Sequence, residues 1–380
     1  MQKYDAVIIG AGHNGLVCGG YLAKAGMNVI ILESSSKPGG LAQTREFFPG
    51  FSASISHSIS HFSSQVAIDL DLENHGYEKP KSLLPTIGLR KNDNHIIIKE
   101  NKIEGIKNKD KISYTEFLEK LEKFAGTLEN FWAKKIPGIG NNSYKELITF
   151  AQLGIKLRLL GKNDLGEFLR IASLPIQDLL DEYFEDPLIK GVLSWDSLIG
   201  SKIAPRSPNS AVLALLYRMT GDTKGKHFMP PKGIKSLINA LCNSAINFGA
   251  EIKYSSPVKN IQIEKISNRL KATGVNLVDG QQIKANQIIS ATDPKTTFFK
   301  LIGVDSLEIG FTNRIKRIRS EGCVAKLHLA LNNLPKFSGL DQPNGRIILA
   351  PDMNSIEAAY DEAKYGRFSK SPVMEVVLPS

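Results

Sequence analysis

The sequence predicts an α/β protein of two domains, the first discontinuous and the second inserted into it as a mostly helical α+β unit. Three observations carry this reading. A complete β-α-β unit fits within the first 33 residues. Between residues 66 and 225 apolar positions recur at three- and four-residue spacing. After residue 226 helix and strand alternate again and run into a meander of short strands. The length of 380 residues suits two domains, and 42% hydrophobic with 23% charged residues excludes a disordered tail, a collagen repeat or a coiled coil. The formal charge is +10, but Lys and Arg are dispersed rather than blocked. A solvated basic surface is therefore expected, and no nucleic-acid partner.

Asp5 to Ile9 is a short β-branched run, read as a parallel strand buried on both faces. A helix follows over Asn14–Ala25, stopped by Gly26, and a second buried strand spans Asn28–Leu32. In the inserted block, Tyr114–Lys134 presents Phe117, Leu121, Phe124 and Leu128 on one helical stripe. Tyr144–Leu160, Leu165–Ala172, Ile176–Phe184 and Ser210–Arg218 read as further helices, the third ending before Pro187. A helix over Ile234–Phe248 is closed by Gly249, and a strand at Glu251–Tyr254 follows. Val258–Ile263, Leu270–Val278, Gln282–Ala285 and Gln287–Ser290 read as strands, with Asp279-Gly280 as a tight turn. Later strands are expected at Val324–Leu331, Arg346–Ala350 and Val373–Leu378.

The chemistry lies at the first turn. Gly10-x-Gly12-x-x-Gly15 stands between the first strand and its helix, with Glu33 ending the second strand 18 positions after Gly15. Gly10 permits the sharp turn, Gly12 leaves room for a diphosphate, and Gly15 lets helix and strand approach. The free N–H groups of the helix start, Asn14 among them, then face the phosphates. Glu33 can accept both hydroxyls of an adenosine ribose. Gly39-Gly40, trailed by Arg45, would let the backbone pass an extended cofactor, which favours FAD over NAD.

Taken together, these residues resemble the flavoprotein group of amine oxidases and phytoene desaturases. Ala11-Gly12-His13-Asn14-Gly15-Leu16 and Pro49-Gly50-Phe51 resemble its phytoene-dehydrogenase-like branch most. Pro230-Pro-Lys-Gly233, Ser256-Pro-Val258 and Ser290-Ala291-Thr-Asp-Pro294 look like that group's later FAD segments. The resemblance implies a Rossmann-like FAD-binding domain with a β-meander at residues 1–65 and 226–300. It implies a substrate domain at 66–225 and 301–380. The implied cofactor contacts are Gly10, Gly12, Asn14, Gly15, Glu33, Gly39, Gly40, Arg45, Val258 and Ala291. The implied activity is FAD-dependent oxidation of a small, apolar or lipid-like substrate, with hydride passing to the flavin. A carotenoid desaturase on a membrane and a non-catalytic interaction protein that keeps the nucleotide fold are the alternatives. Relatives of this kind end in a glycine-rich segment, whereas this chain stops at Val377-Leu-Pro-Ser380, so a truncated product is expected.

The remaining candidates are weaker. Cys18, Cys242 and Cys323 form no Cys-x-x-Cys pair and are expected as buried thiols, so dithiol redox chemistry is not supported. His57 and His61 lie where the chain should pass the flavin and could move protons. Their spacing of four lacks an acidic partner, so no metal is expected. His13 lies inside the glycine turn. Trp132 and Trp195 are expected as core or pocket-wall rings. The helix from Tyr144, with Lys156, Arg158 and Lys162, is expected to pack within the inserted domain rather than on an anionic membrane. With no apolar span and no leader, a bacterial cytoplasm is expected, or a mitochondrial matrix in a eukaryote. The sequence assigns neither a catalytic residue nor an oligomeric state.

Overall fold

A computed structural model describes residues 3–91, 94–132, 134, 144–208, 211–341 and 343–378, without the side chains of Asn130, Trp132 and Lys145. The reading of Trp132 as a core ring lies outside the described residues. The chain forms a mixed α/β fold in which two sheets each draw strands from distant parts of the sequence.

β1 (Lys3–Ile9), α1 (His13–Lys24) and β2 (Val29–Leu32) are the expected β-α-β unit. β3 (Thr44–Phe48) and β4 (Phe51–Ser54) form a hairpin, and α2 (Ser64–Asp69) follows. Three short strands, β5 (Thr86–Gly88), β6 (Ile96–Lys99) and β7 (Lys102–Glu104), precede the helices of the insertion. These helices are α3 (Asn108–Trp132), α4 (Tyr144–Leu159), α5 (Lys162–Ile171), α6 (Ile176–Tyr183), α7 (Pro187–Leu198) and α8 (Ala211–Met219). Then come α9 (Ile234–Asn247), β8 (Glu251–Lys253), β9 (Val258–Ile266), β10 (Arg269–Leu277) and β11 (Gln282–Ser290). A π-helical turn at Thr296–Ile302 leads to α10 (Ile309–Arg317), β12 (Arg346–Leu349), α11 (Met353–Lys364) and β13 (Met374–Val377).

The six-stranded sheet has the order β8-β2-β1-β11-β10-β9. β8, β2, β1 and β11 run parallel, and β10 and β9 complete an antiparallel meander. Its central strands are apolar on both faces because both are covered. Ala6, Ile8 and Ile31 meet α1 and α9 through Leu16, Ile238 and Leu241, while Val7, Ile9, Ile30 and Leu32 meet Ile261, Val275 and Leu301. A second sheet, β13-β12-β5-β6-β7, packs with the inserted helices around Phe117, Leu121, Phe124, Ile189 and Val192.

Three expectations need correction, and one helix was not expected. Gln282–Ala285 and Gln287–Ser290 are one strand, whose register runs unbroken from Ala285 to Gln287 against β1. Val324–Leu331 has no ladder partner among the described residues and is not a strand; Leu327 and Leu329 stand exposed. A strand needs a neighbour for its N–H and C=O groups, and alternation alone cannot supply one. α6 stops before Pro187 as expected, and Pro187 then starts α7, a helix the sequence did not lead one to expect: Asp186 caps it by accepting from the Leu188 N–H, and proline suits the first helical position. Of the thiols, only Cys242 is buried; Cys18 is half-buried and Cys323 exposed.

Candidate nucleotide-binding site

The glycine turn sits where β1 ends and α1 begins. Gly10 has φ of 103°, a conformation natural to glycine, and its N–H donates to the Leu32 carbonyl at 2.8 Å. A methyl on Gly15 would lie 2.0 Å from the Gly10 oxygen and 3.2 Å from the Ala291 Cβ, so helix and turn touch there. A methyl on Gly12 would meet nothing within 4 Å. No side chain caps α1, and its first-turn N–H groups have no intrahelical acceptor. His13 and Asn14 are exposed at that turn.

The second glycine pair closes over the first. The Gly39 N–H donates to the Ala11 carbonyl at 2.8 Å, and Gly39 bridges Gly12. Gly39 has φ of 120°, and a methyl on Gly40 would lie 3.4 Å from the Gly12 Cα. Glu33 is buried and ties the parts together: Oε2 accepts the Ala11 N–H at 2.8 Å, and Oε1 accepts the Ser35 N–H at 2.9 Å. Its carbonyl accepts the Ser256 N–H at 2.8 Å, which brings the approach to Val258 alongside. The Ala291 N–H donates to the Ile9 carbonyl at 2.9 Å. The structure thus gathers Gly10, Gly12, Gly15, Glu33, Gly39, Gly40 and Ala291, with Val258 opening β9 nearby. Arg45 stands apart, exposed on β3 with Nε bonded to Gln43 Oε1 at 2.6 Å.

A charged cluster that the sequence reading missed lies where the hairpin β3–β4 runs into the insertion. Arg346, at the start of β12, is fully buried. Its guanidinium donates to both oxygens of Asp196 at 2.6 and 3.1 Å, and to both of Glu375 at 2.9 and 3.1 Å. Asp196 also lies 3.2 Å from His227 Nε2, whose Nδ1 meets Ser58 Oγ at 2.9 Å. Glu375 accepts from Trp195 Nε1 at 2.6 Å and sits 2.9 Å from His57 Nε2. Lys326 completes the set against His57 Nδ1 at 3.1 Å and the Ser54 carbonyl at 2.9 Å. The circuit leaves the chain at His57 and returns at Ser58, so it clamps this loop to α7, β12 and β13.

Burial opposes charge on both carboxylates, but the partners prevail. Arg346 and His227 hold Asp196 well below the usual carboxylate range, and His57 and Arg346 hold Glu375 below it. Burial lowers the pKa of His227, and Asp196 offsets this only in part. His61 faces elsewhere: it stacks on Tyr217 with centroids 4.6 Å apart, and Nε2 lies 3.1 Å from Thr220 Oγ1. The sequence hints at it only through a charge beside or within three apolar runs, with Arg346 opening one and Asp196 and Glu375 inside the others. Spacing could not pair residues 150 positions apart.

The profile of the family described as flavin containing amine oxidoreductase matches residues 15–333. The mouse pyridine nucleotide-disulfide oxidoreductase domain-containing protein 2 is 29% identical, over 100% of this chain and 70% of its own length. A limonene dehydrogenase component from Castellaniella defragrans is 27% identical, over 90% of this chain and 62% of its own length. A solved oxidoreductase structure from Methanosarcina mazei superposes with a TM-score of 0.52 at 19% identity, covering 83% of this chain and 65% of that one. That likeness concerns the fold alone. The chain therefore spans 62–70% of the length of these three proteins. With a family profile covering most of its residues and the glycine turn in place, the chain belongs to the flavin containing amine oxidoreductase family.

Proposed function

We propose that this chain binds FAD and serves an oxidoreductase of the dehydrogenase or desaturase type. One observation carries the reading: the space over Gly12 would admit a side chain without a single contact, yet Gly39 and Gly40 border it and Glu33 anchors its floor. In a protein, such a gap beside uncapped N–H groups suits a diphosphate. The residues present fit the adenosine and diphosphate parts of the cofactor. Gly10, Gly12, Asn14 and Gly15 would hold the diphosphate, with Gly39 and Gly40 on its other side. Glu33 Oε1 accepts from the Ser35 N–H and the Ser34 hydroxyl, whereas Oε2 accepts from the Ala11 N–H alone and keeps a lone pair for a ribose hydroxyl. Val258 and Ala291 border the same region, whereas Arg45 is exposed on β3 and bonded to Gln43, outside this set.

FAD, when bound, supplies the hydride acceptor. The chain's own residues orient the cofactor and hold the loop at His57 and Ser58 in one conformation through the Arg346 cluster. We assign residues 1–65 and 226–300 to the cofactor domain, since β1, β2, β8 and β11 share a sheet. Residues 66–225 and 301–380 form the substrate side, since β5, β12 and β13 share the other. An apolar substrate is favoured by the relative named for limonene, a hydrocarbon. The test is an absorbance scan of the purified chain, followed by identification of any released flavin. Retained FAD, or stoichiometric uptake of added FAD, supports the proposal. A colourless protein that takes up no FAD would remove it.

A further inference from the structure

α4 is apolar on two opposite sides, and among the described residues only one of them is covered. At about 100° per residue, Glu146, Leu153 and Leu157 share the side turned toward the body, joined by Leu160 just past the helix. Glu146 is buried, and Leu157 and Leu160 pack on the helical core. The opposite arc, about 120° wide, carries Tyr144, Leu147, Ile148, Ala151, Ile155 and Leu159. Tyr144 is 78% exposed, Ile155 60% and Leu159 79%, with Leu147 and Ile148 also exposed. Scattered exposed leucines are ordinary, but a continuous stripe on the outward face of a helix is not. Packing within the inserted domain therefore accounts for one side of this helix only.

The charges beside the stripe have one sign. Lys156 and Arg158 lie on α4, Lys162 follows it, and Lys134 reaches its Gln152 with Nζ 2.6 Å from Oε1. Glu146 is the only acid in α4, and it is buried on the inward side. An anionic surface matches this pattern, whereas a second copy of the helix would set Lys and Arg against Lys and Arg. Sixteen residues span about 24 Å, short of a bilayer core of about 30 Å. No described helix is long and apolar enough to cross a membrane. Lying flat at the interface, with apolar side chains in the acyl region and cations among the headgroups, satisfies both halves.

We propose that α4 docks this protein on an anionic lipid surface. The test floats the full chain with vesicles of phosphatidylcholine alone or mixed with phosphatidylglycerol, across a salt series. The mixed vesicles should carry the protein at low salt and release it as salt rises. The double variant Ile155→Ser/Leu159→Ser should bind at least about tenfold more weakly, and Lys156→Glu/Arg158→Glu should lose the preference for anionic vesicles. The serine variant should melt within a few degrees of the parent, because Ile155 and Leu159 are exposed; the charge variant should melt lower, because Lys156 is half-buried with Nζ 5.7 Å from the Phe131 ring centroid. The proposal falls if the parent does not float, or if the serine variant floats as well as the parent. It also falls if the parent is a dimer by light scattering that the serine variant dissociates, since a second copy would then cover the stripe. Flotation reads the surface alone, so the result does not depend on FAD content.

Discussion

Alanine at Gly12 and alanine at Gly15 should separate binding from folding. At Gly12 the backbone is extended (φ −69°, ψ 169°) and the new methyl meets nothing within 4 Å. The cost to the cofactor-free fold is that of a poorer helix cap, within about 1 kcal/mol. At Gly15 the methyl would sit 2.0 Å from a backbone oxygen and 3.2 Å from the Ala291 Cβ. Neither the turn nor the strand end can give way freely, so overpacking should cost about 3 kcal/mol or more. The Gly12 methyl projects into the gap assigned to the diphosphate. Displacing that group by one methyl radius sacrifices about two charge-assisted hydrogen bonds, about 3–6 kcal/mol, or roughly 10²–10⁴-fold in affinity. Thermal melting of cofactor-free protein and titration with FAD measure the two effects. Gly12→Ala should melt near the parent and bind FAD poorly, whereas Gly15→Ala should melt early whether or not FAD is added. A Gly12→Ala protein that binds FAD as its parent does would refute the reasoning, as would one destabilised as much as Gly15→Ala.

Three further outcomes follow from the charged cluster and the thiols. Arg346→Met leaves Asp196 and Glu375 without their shared cation and should cost about 3–5 kcal/mol in urea unfolding; an unchanged midpoint would show the cluster to be incidental. Acid should destabilise the protein in two stages. The lowered pKa of His227 means that the unfolded chain takes its proton first, so stability falls as pH drops below 6.5. Asp196 and Glu375, depressed from 3.8 and 4.5, contribute stability that is complete above those values and lost as pH falls toward their folded values. A melting temperature flat from about pH 7 to pH 4 would contradict this. Thiol titration should find Cys323 fast, because it is exposed, and Cys242 silent until the protein unfolds, because burial pushes its thiol up to about 11.

Local physics made the nucleotide half of this protein legible in its residues. The turn from β1 to α1, the carboxylate at Glu33 and the meander from Val258 to Ser290 depend on chain neighbours, glycine sterics and the period of apolar positions. Those constraints act within a few residues, so the order of letters suffices to express them. The long helices of the insertion were legible for the same reason. Pro187 was ambiguous because proline both ends one helix and begins another, and only the cap from Asp186 decides between them. Val324–Leu331 alternates like a strand, yet pairing requires a neighbour that the pattern cannot name.

What the residues alone determined is therefore the presence of a dinucleotide turn and the sheet that carries it. Tertiary structure decided which side of α4 faces the body and which charges share the interior. Arg346, Asp196 and Glu375 lie on three elements from separate parts of the chain, and no local rule links them. A buried guanidinium needs partners that satisfy its charge and its N–H groups; for Arg346 these are two carboxylates, and that convergence exists in space rather than in sequence.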